Sequence, residues 1–317
     1  MLSRVLAGAL LSTAWAAADV ALSQDYPSKV IRIVAGSVGG GNDVVARLLA
    51  QGISGPLGQP VIVENRGPGV LPIEFAFRMP PDGYTLLVNG STLWTIPFLQ
   101  KTLYDPVRDF SPITLATVVP NLLVVHPSLP VRTVKDFIAL AKARPGELNY
   151  SSTSTGSAGH LAGELLKSMA GVNLVRIPYK ANVASITAVI SGEVELTITD
   201  VGLLKAHARS GRVRALAITS ARPSALYPGL PTVAATLPGF ELIATTGVYA
   251  PAKTPQAIIN RLNQEIVRVL KTPEIKEKFL NSGTEVVAGT PDELAAFLKS
   301  DMARMAKIIR EAGIKGD

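Results

Sequence analysis

The sequence has no cysteine and only three histidines among its 317 residues. The missing thiol excludes disulfide bonds and cysteine nucleophiles. The histidines, His126, His160 and His207, are isolated along the chain, so neither a zinc signature nor a thiol–imidazole pair can be drawn. A serine-hydrolase G-x-S-x-G motif and a Walker-type phosphate loop are also missing from the sequence. The usual signatures of hydrolytic, thiol and metal catalysis are therefore absent.

Aromatic residues are scarce, at 5% of the chain, and the lysines and arginines are spread along it. A nucleic-acid surface combines clustered basic residues with aromatic ones, so we expect no nucleic-acid partner. The formal net charge of +7 is a modest excess that favours small anions. With 47% hydrophobic residues, a chain of this length can bury two packed lobes.

Residues 1–18 have the layout of a secretory signal peptide, with Arg4, the apolar run Val5 to Leu11, and small residues ending at Ala18. A short membrane anchor is the alternative, but the apolar run is too short to span a bilayer. No later stretch is long or apolar enough to span a membrane. We therefore expect a periplasmic protein, which the lack of cysteine suits.

The stretch Val30 to Arg47 combines a short apolar strand, three consecutive glycines and the start of a helix. Gly39 to Gly41 would let an anion approach the unpaired N–H groups of a helix that begins at Asn42 or Asp43. The alternative is a tight turn in which one of those two side chains caps the helix. The sequence thus predicts an anion cradle or a plain capped turn here.

Hydrophobic periodicity and turn residues predict alternating strands and helices, which favours parallel sheets. The predicted elements of the first lobe are strand 30–35, helix 43–54, strand 60–64, helix 71–79 and strand 84–89. Two further strands between 105 and 125, separated by Pro120, lead out of this lobe. The predicted elements of the second lobe are helix 133–143, strand 148–152, helix 157–170, strand 174–178, helix 182–191 and strands 194–199 and 213–219. A strand at 241–250 returns to the first lobe, and helices at 255–271, 273–281 and 291–311 follow.

The loop Ser151 to Gly159 repeats the arrangement of the first one, since a strand precedes it and a helix follows it. Both loops should lie at the carboxyl ends of parallel strands, where they would face one cleft. Its hydroxyl donors are Ser152, Thr153, Ser154, Thr155 and Ser157. Ordinary turns and helix caps made by serine and threonine are the alternative.

Other polar residues follow neighbouring strands. They are Asn89, Ser91, Thr92, Tyr179 and Lys180. Trp94 could form an apolar wall of the cleft or lodge in the core. Asp200 ends the strand at 194–199, where it could meet an amino group of a ligand or cap the next helix at Val201.

A dinucleotide-binding enzyme is the main catalytic alternative. Gly39-x-Gly41 follows a strand, and Glu64 stands about 20 residues beyond it, as in the nicotinamide fingerprint. However, Val44 occupies the third glycine position, and Asp43 stands where a pyrophosphate would rest. Both substitutions count against a bound dinucleotide.

Ordered motifs along the chain resemble those of one family. They are IRIV…GGGNDVVAR, LGQPVIVENR, PPDGYTLL, YDPVRDFSPIT, ELNYSST…GSAGHLAGEL, RIPYK, GRVRALAITS, LPTVAATLPGFE and APAKTP…INRLNQEI. Together they run from about Tyr26 to Lys315 and resemble the periplasmic solute-binding receptors of tripartite tricarboxylate transporters, the Bug or tricarboxylate-receptor type.

The resemblance implies an α/β, two-lobed periplasmic-binding-protein type II (Venus flytrap) fold, each lobe a mostly parallel sheet flanked by helices. Lobe 1 would comprise 24–125 and 244–317, and lobe 2 would comprise 126–243. A small carboxylate, such as a di- or tricarboxylate, an aromatic acid or an acidic amino acid, would bind between the lobes and pass to membrane permease subunits. We expect no cofactor, no metal, no enzymatic activity and a monomer. The alternative is that the same fold serves as a ligand-dependent sensor or a partner-recruiting protein.

The resemblance also implies positions for the ligand-holding residues. By motif position, they are Gly39, Gly40, Gly41 and Asn42 in the first loop and Ser152, Thr153, Gly156, Ser157 and Ala158 in the second, with Asp200 meeting the amino group of amino-acid ligands. The sequence departs from the family pattern at Ala35 to Gly40, at Asn65 to Leu71 and at Ala181. These departures fall at the edge of the expected cleft, so we expect them to affect ligand choice.

Overall fold

The computed structural model describes residues 26–67, 69–153, 155–311 and 313–314, so the predicted signal peptide lies outside the described residues. The strands are β1 (Ile31–Ala35), β2 (Val61–Asn65), β3 (Thr85–Asn89), β4 (Phe110–Val125), β5 (Asn149–Ser152), β6 (Val175–Pro178), β7 (Leu196–Asp200), β8 (Arg214–Ile218), β9 (Ile243–Pro251) and β10 (Glu285–Val286). The helices are α1 (Gly41–Leu57), α2 (Leu71–Phe77), α3 (Thr92–Leu99), α4 (Val134–Ala143), α5 (Ala158–Ala170), α6 (Asn182–Ser191), α7 (Val201–Arg209), α8 (Gln256–Leu270), α9 (Pro273–Asn281) and α10 (Pro291–Glu311).

The strands form two sheets that share β4, which makes a two-lobed α/β fold. In the first sheet, β2, β1 and β3 are parallel. Strand β9 pairs antiparallel with β3, β4 pairs antiparallel with β9, and β10 pairs antiparallel with β4. In the second sheet, β6, β5 and β7 are parallel, and β7 and β8 pair antiparallel with β4. The parallel strands are the ones whose crossovers contain helices, as the alternating pattern predicted.

The prediction of two strands separated by Pro120 was wrong. A single strand, β4, runs through this residue. Pro120 is the last β4 residue that pairs with β9, opposite Ile243, and Asn121 is the first that pairs with β7, opposite Asp200. The missing N–H of proline therefore falls where the strand changes from one sheet to the other, so it breaks neither ladder.

Amphipathic helices cover the sheets. On one face of the first sheet, α1 and α8 bury apolar residues at spacings of three and four, including Leu49, Ile53, Leu262 and Ile266. In the second lobe, α4 and α5 pack against strand residues such as Tyr150. Burial of these stripes holds each parallel sheet rigid, so the loops at its carboxyl edge start from fixed positions.

Helix α10 packs against both lobes. Leu294 and Leu298 lie in a cluster with Leu87 and Trp94 of the first lobe, whereas Met305 and its neighbours lie in the core of the second. The sequence predicted α8, α9 and α10 to within a residue, but it assigned no element to α3, which is hydrophobic on every side. None of the helices in the described ranges is long and apolar enough to span a bilayer.

Candidate ligand site between two helix starts

At the first helix start, neither Asn42 nor Asp43 is the capping residue. Helix α1 begins at Gly41, and its N-cap residue Gly40 offers no side chain to the helix. Asn42 and Asp43 lie inside the first turn, so the interpretation that one of them caps the helix was wrong. Gly39 donates its N–H to Asp43 Oδ2 at 2.8 Å, and Gly40 donates to Ser37 O at 3.1 Å. These two predicted donors are therefore occupied within the loop.

The next N–H groups of α1 are open. Among the residues that the structure describes, no acceptor is found for the backbone N–H of Gly41, Asn42 or Asp43. Gly41 is exposed, and a Cβ built on it meets no atom within 4 Å. Open N–H groups at the positive end of a 17-residue helix form a ready anion site.

Asp43 stabilises the loop before α1 through its side chain. Its buried carboxylate accepts hydrogen bonds from Gly39 N–H, from Arg47 Nε at 3.0 Å and from Asn65 Nδ2 at 2.9 Å. Burial alone would raise the pKa of Asp43, but these hydrogen bonds and the Arg47 charge hold the pKa below its ordinary value. The carboxylate is thus ionised and turned back into the loop.

Polar residues of β3 and β9 lie next to this helix start. Thr246 Oγ1 donates to Asn42 Oδ1 at 3.0 Å. Gly90 fits tightly here, because a Cβ on it would lie 2.0 Å from Thr245 O. Asn89 Oδ1 and Thr245 Oγ1 are buried and lack hydrogen-bond partners among the described residues. Buried polar atoms are normally paired, so we expect a ligand or ordered water to form hydrogen bonds with these two atoms.

The second helix start is capped but retains open donors. Ser157 is the N-cap of α5, and its Oγ accepts from His160 N–H at 3.3 Å. Gly156 donates its N–H to His160 Nδ1 at 3.0 Å, so this predicted donor is occupied. No acceptor for the N–H of Ala158 or Gly159 is found in the described part of the chain. A Cβ on Gly159 would lie 2.5 Å from Ile198 O, so the helix start sits close against β7.

Arg176 holds the loop before α5. From β6, its Nε donates to Ser152 Oγ at 2.8 Å, Nη1 to Thr155 Oγ1 at 3.2 Å and Nη2 to Thr153 O at 2.6 Å. The guanidinium fork therefore fixes three successive described positions of the loop. Ser154, a further predicted hydroxyl donor, lies outside the described residues.

Helix α3 lies between the two loops. It begins directly after Ser91, beside Gly90, and ends at Leu99, whose Cδ1 lies 2.6 Å from a Cβ built on Gly156. At a rise of about 1.5 Å per residue, its eight residues span about 12 Å. The second loop, at Gly156, is therefore separated from the end of β3 by about the length of α3. Ser91 and Thr92 form the partly buried start of this helix.

The other residues that the sequence predicted for the cleft lie outside the two helix starts. Trp94 is buried in the core, where its Nε1 donates to Asp301 Oδ2 at 2.7 Å, so it forms no wall of the cleft. Tyr179 donates its hydroxyl to Glu193 Oε1 at 2.8 Å and its N–H to Ser152 O, and Lys180 is exposed. Asp200 Oδ1 accepts from Gly202 N–H at 2.7 Å, as a helix cap does. Burial raises the pKa of Asp200, and this hydrogen bond only partly offsets the effect.

The sequence matches the profile of the family described as "Tripartite tricarboxylate transporter family receptor" over residues 45–314, which is most of the chain. The chain belongs to this receptor family. Protein BugT of Bordetella pertussis is 34% identical over 323 residues, covering 99% of this chain and 99% of that relative. The family prediction made from the motifs is thus confirmed.

Solved structures agree with the receptor fold. The structure of R. palustris Rpa4515 with adipate has 34% identity and a TM-score of 0.76, covering 92% of this chain and 100% of that one. MatC from Rhodopseudomonas palustris with bound malate has 27% identity and a TM-score of 0.73, covering 90% of this chain and 100% of that one. Proteins of this family are periplasmic solute-binding receptors, so this receptor is a binding protein and not an enzyme.

Sequence reasoning about this receptor missed Arg176 and Thr246. Both residues act through contacts with residues distant in sequence, 21 to 24 positions away for Arg176 and 204 for Thr246. The RIPYK motif places Arg176 beside the second loop, but only the pairing of β5 with β6, which sets Tyr150 opposite Arg176, shows that its side chain can reach that loop. Thr246 carried no comparable signal in the sequence.

Proposed function

We propose that this receptor binds a small dicarboxylate between its two lobes and delivers it to the membrane subunits of a tripartite transporter. Lobe 1 would be residues 24–125 and 244–317, and lobe 2 would be residues 126–243. The observation that supports the proposal is a pair of helix starts whose first N–H groups have no acceptor among the described residues, at Gly41 and Asn42 in α1 and at Ala158 and Gly159 in α5. One carboxylate would bind at each start, and closure of the lobes would enclose the ligand.

The polar surroundings of the two starts support an acidic ligand held partly through water. Asn89 Oδ1 accepts hydrogen bonds and cannot pair directly with an ionised carboxylate. A water molecule can donate to Asn89 Oδ1 and to a carboxylate oxygen at the same time, which would satisfy both groups. Thr245 Oγ1 can donate to the ligand or to the same water. We therefore propose that ordered water joins the ligand to β3 and β9.

The ligands of two related receptors have the same chemistry. Adipate in Rpa4515 and malate in MatC each carry two carboxylates, at different separations. Asp200, a partly buried carboxylate next to the second lobe's parallel strands, extends the proposal to ligands that also carry an amino group. We further propose that residues 1–18 direct the receptor to the periplasm, where it acts as a monomer.

Isothermal titration calorimetry tests the proposal directly. The protein without residues 1–18 is titrated with adipate, malate, succinate, aspartate and glutamate, and with adipamide as the neutral counterpart of adipate. We expect one-to-one binding of at least one of these acids and none of adipamide, because amide groups lack the negative charge that the helix starts favour. Equal affinity for adipate and adipamide, or no binding of any acid, would contradict it.

A further inference from the structure

Arg176 is a half-buried cation that pairs with no carboxylate in the described part of the chain. In contrast, Arg32, Arg47, Arg66 and Arg304 each form an ion pair with an aspartate or glutamate. All three of the contacts that Arg176 makes are with neutral oxygens of the loop Ser152 to Thr155. The positive charge on this edge of the second lobe is therefore not neutralised by these contacts.

The contacts of Arg176 also determine what the loop hydroxyls can do. Ser152 Oγ and Thr155 Oγ1 each accept a hydrogen bond from the guanidinium, so their own protons must point away from it. Among the described residues, the acceptor found for Ser152 Oγ is Thr153 O, at the long distance of 3.5 Å. Hydroxyls that accept from a cation are also better donors, because chains of hydrogen bonds polarise one another. Arg176 thus occupies an acceptor position on both hydroxyl oxygens and leaves their protons to be donated elsewhere.

We propose that Arg176 is a positioning residue that makes this site prefer ligands with two ionised carboxylates. Its charge would favour the second negative group, and its fork would hold the Ser152 and Thr155 hydroxyls in the donating orientation. The inference rests on the proposed function, since it concerns the same site. It assigns the preference between dianions and monoanions to one side chain outside the two helix starts.

Arg214 provides a matched control. It lies in the same lobe, is partly buried, and its Nη1 donates to two neutral backbone oxygens, Leu129 O at 2.8 Å and Val131 O at 2.9 Å. It also forms no ion pair among the described residues, but it holds a connection at 129–131 rather than the loop before α5. Loss of Arg214 should therefore remove a similar set of neutral contacts without touching the proposed site.

The experiment measures dissociation constants of adipate and of its monoamide, adipamic acid, for wild type, R176Q, R176K and R214Q. Loss of a charged hydrogen-bonding partner should weaken adipate binding by roughly 10- to 100-fold in R176Q, and adipamic acid binding by clearly less. R176K keeps the charge but not the fork, so it should keep the preference for adipate at lower affinity. R214Q should bind both ligands as wild type does.

The outcomes separate this inference from the proposed function. If wild type binds adipate and R176Q weakens both ligands by the same factor, Arg176 acts only as a structural support and the inference is overturned. Unchanged adipate binding in R176Q overturns it as well. If wild type binds neither ligand nor any acid of the calorimetric panel, both proposals are overturned. Should R176Q fail to fold, loss of the adipate preference in R176K would count against the role of charge.

Discussion

Replacing Gly41 with aspartate should strongly weaken carboxylate binding and leave the fold intact. Gly41 is the exposed first residue of α1, and a side chain there meets no atom within 4 Å of its Cβ. A negative charge at a helix start is favourable to the helix itself. The same charge would repel a bound carboxylate by about 4 kcal/mol at a separation of about 4 Å and an effective dielectric constant of about 20. We therefore expect affinity to fall roughly 100- to 1000-fold.

The control for this prediction is Gly41→Asn, which has the same size and no charge. It should keep most of the affinity, because asparagine leaves the backbone N–H groups accessible and adds no repulsion. Calorimetry gives the affinities, and thermal unfolding shows whether either variant has lost stability. If Gly41→Asp binds as tightly as Gly41→Asn, the first carboxylate does not bind at the start of α1.

Replacing Asp301 with alanine should destabilise the protein by about 3–5 kcal/mol, the range measured when one partner of a buried ion pair is removed. Asp301 is 4% exposed and accepts from Trp94 Nε1 of α3 at 2.7 Å and from Arg304 of α10. Arg304 also binds Glu241, which lies just before β9. Alanine would leave the indole N–H and part of the guanidinium buried without partners.

Urea denaturation measures this loss, and Glu311→Ala is the control on the same helix. Glu311 Oε1 lies 4.0 Å from Lys307 Nζ, and the side chains of Lys307 and Glu311 are 67% and 43% exposed. Removal of Glu311 should therefore have almost no effect on the free energy of unfolding. Because α10 packs against both lobes, Asp301→Ala should also broaden or divide the unfolding transition. A loss no larger than that of Glu311→Ala would show that the Trp94–Asp301–Arg304 contacts add little to stability.

Local patterns predicted most of the fold. The helices α8 to α10 each follow a threonine–proline signal, and the strand that precedes the first loop is a short, mostly apolar run. Strand β4 could not be predicted, because proline usually ends a strand and only the tertiary pairing shows that the ladder changes partner at Pro120. Helix α3 gave no amphipathic pattern, since its residues are apolar on every side.

The two helix starts of the candidate site could be predicted from the sequence, but the state of their N–H groups could not. The three glycines lie at the start of α1, but the helix begins at Gly41 and not at Asn42 or Asp43 as predicted. The N–H groups of Gly39 and Gly40 are used within the loop, whereas no acceptor for those of Gly41 and Asn42 is found among the described residues. That difference depends on where the Asp43 side chain turns, which no periodicity encodes. The contacts of Asp301 with Trp94, 207 positions apart, are equally invisible to local patterns.

The most direct test follows the backbone amides of both helix starts in one sample. Amide proton and nitrogen resonances of Gly41, Asn42, Ala158 and Gly159 are recorded while adipate, or the tightest ligand of the calorimetric panel, is added. If one ligand bridges the two lobes, the resonances of all four residues move together and saturate at the same ligand concentration. Shifts confined to the residues of one helix start would contradict a ligand held between α1 and α5. Shifts of other residues, with the resonances of these four unchanged, would also contradict it.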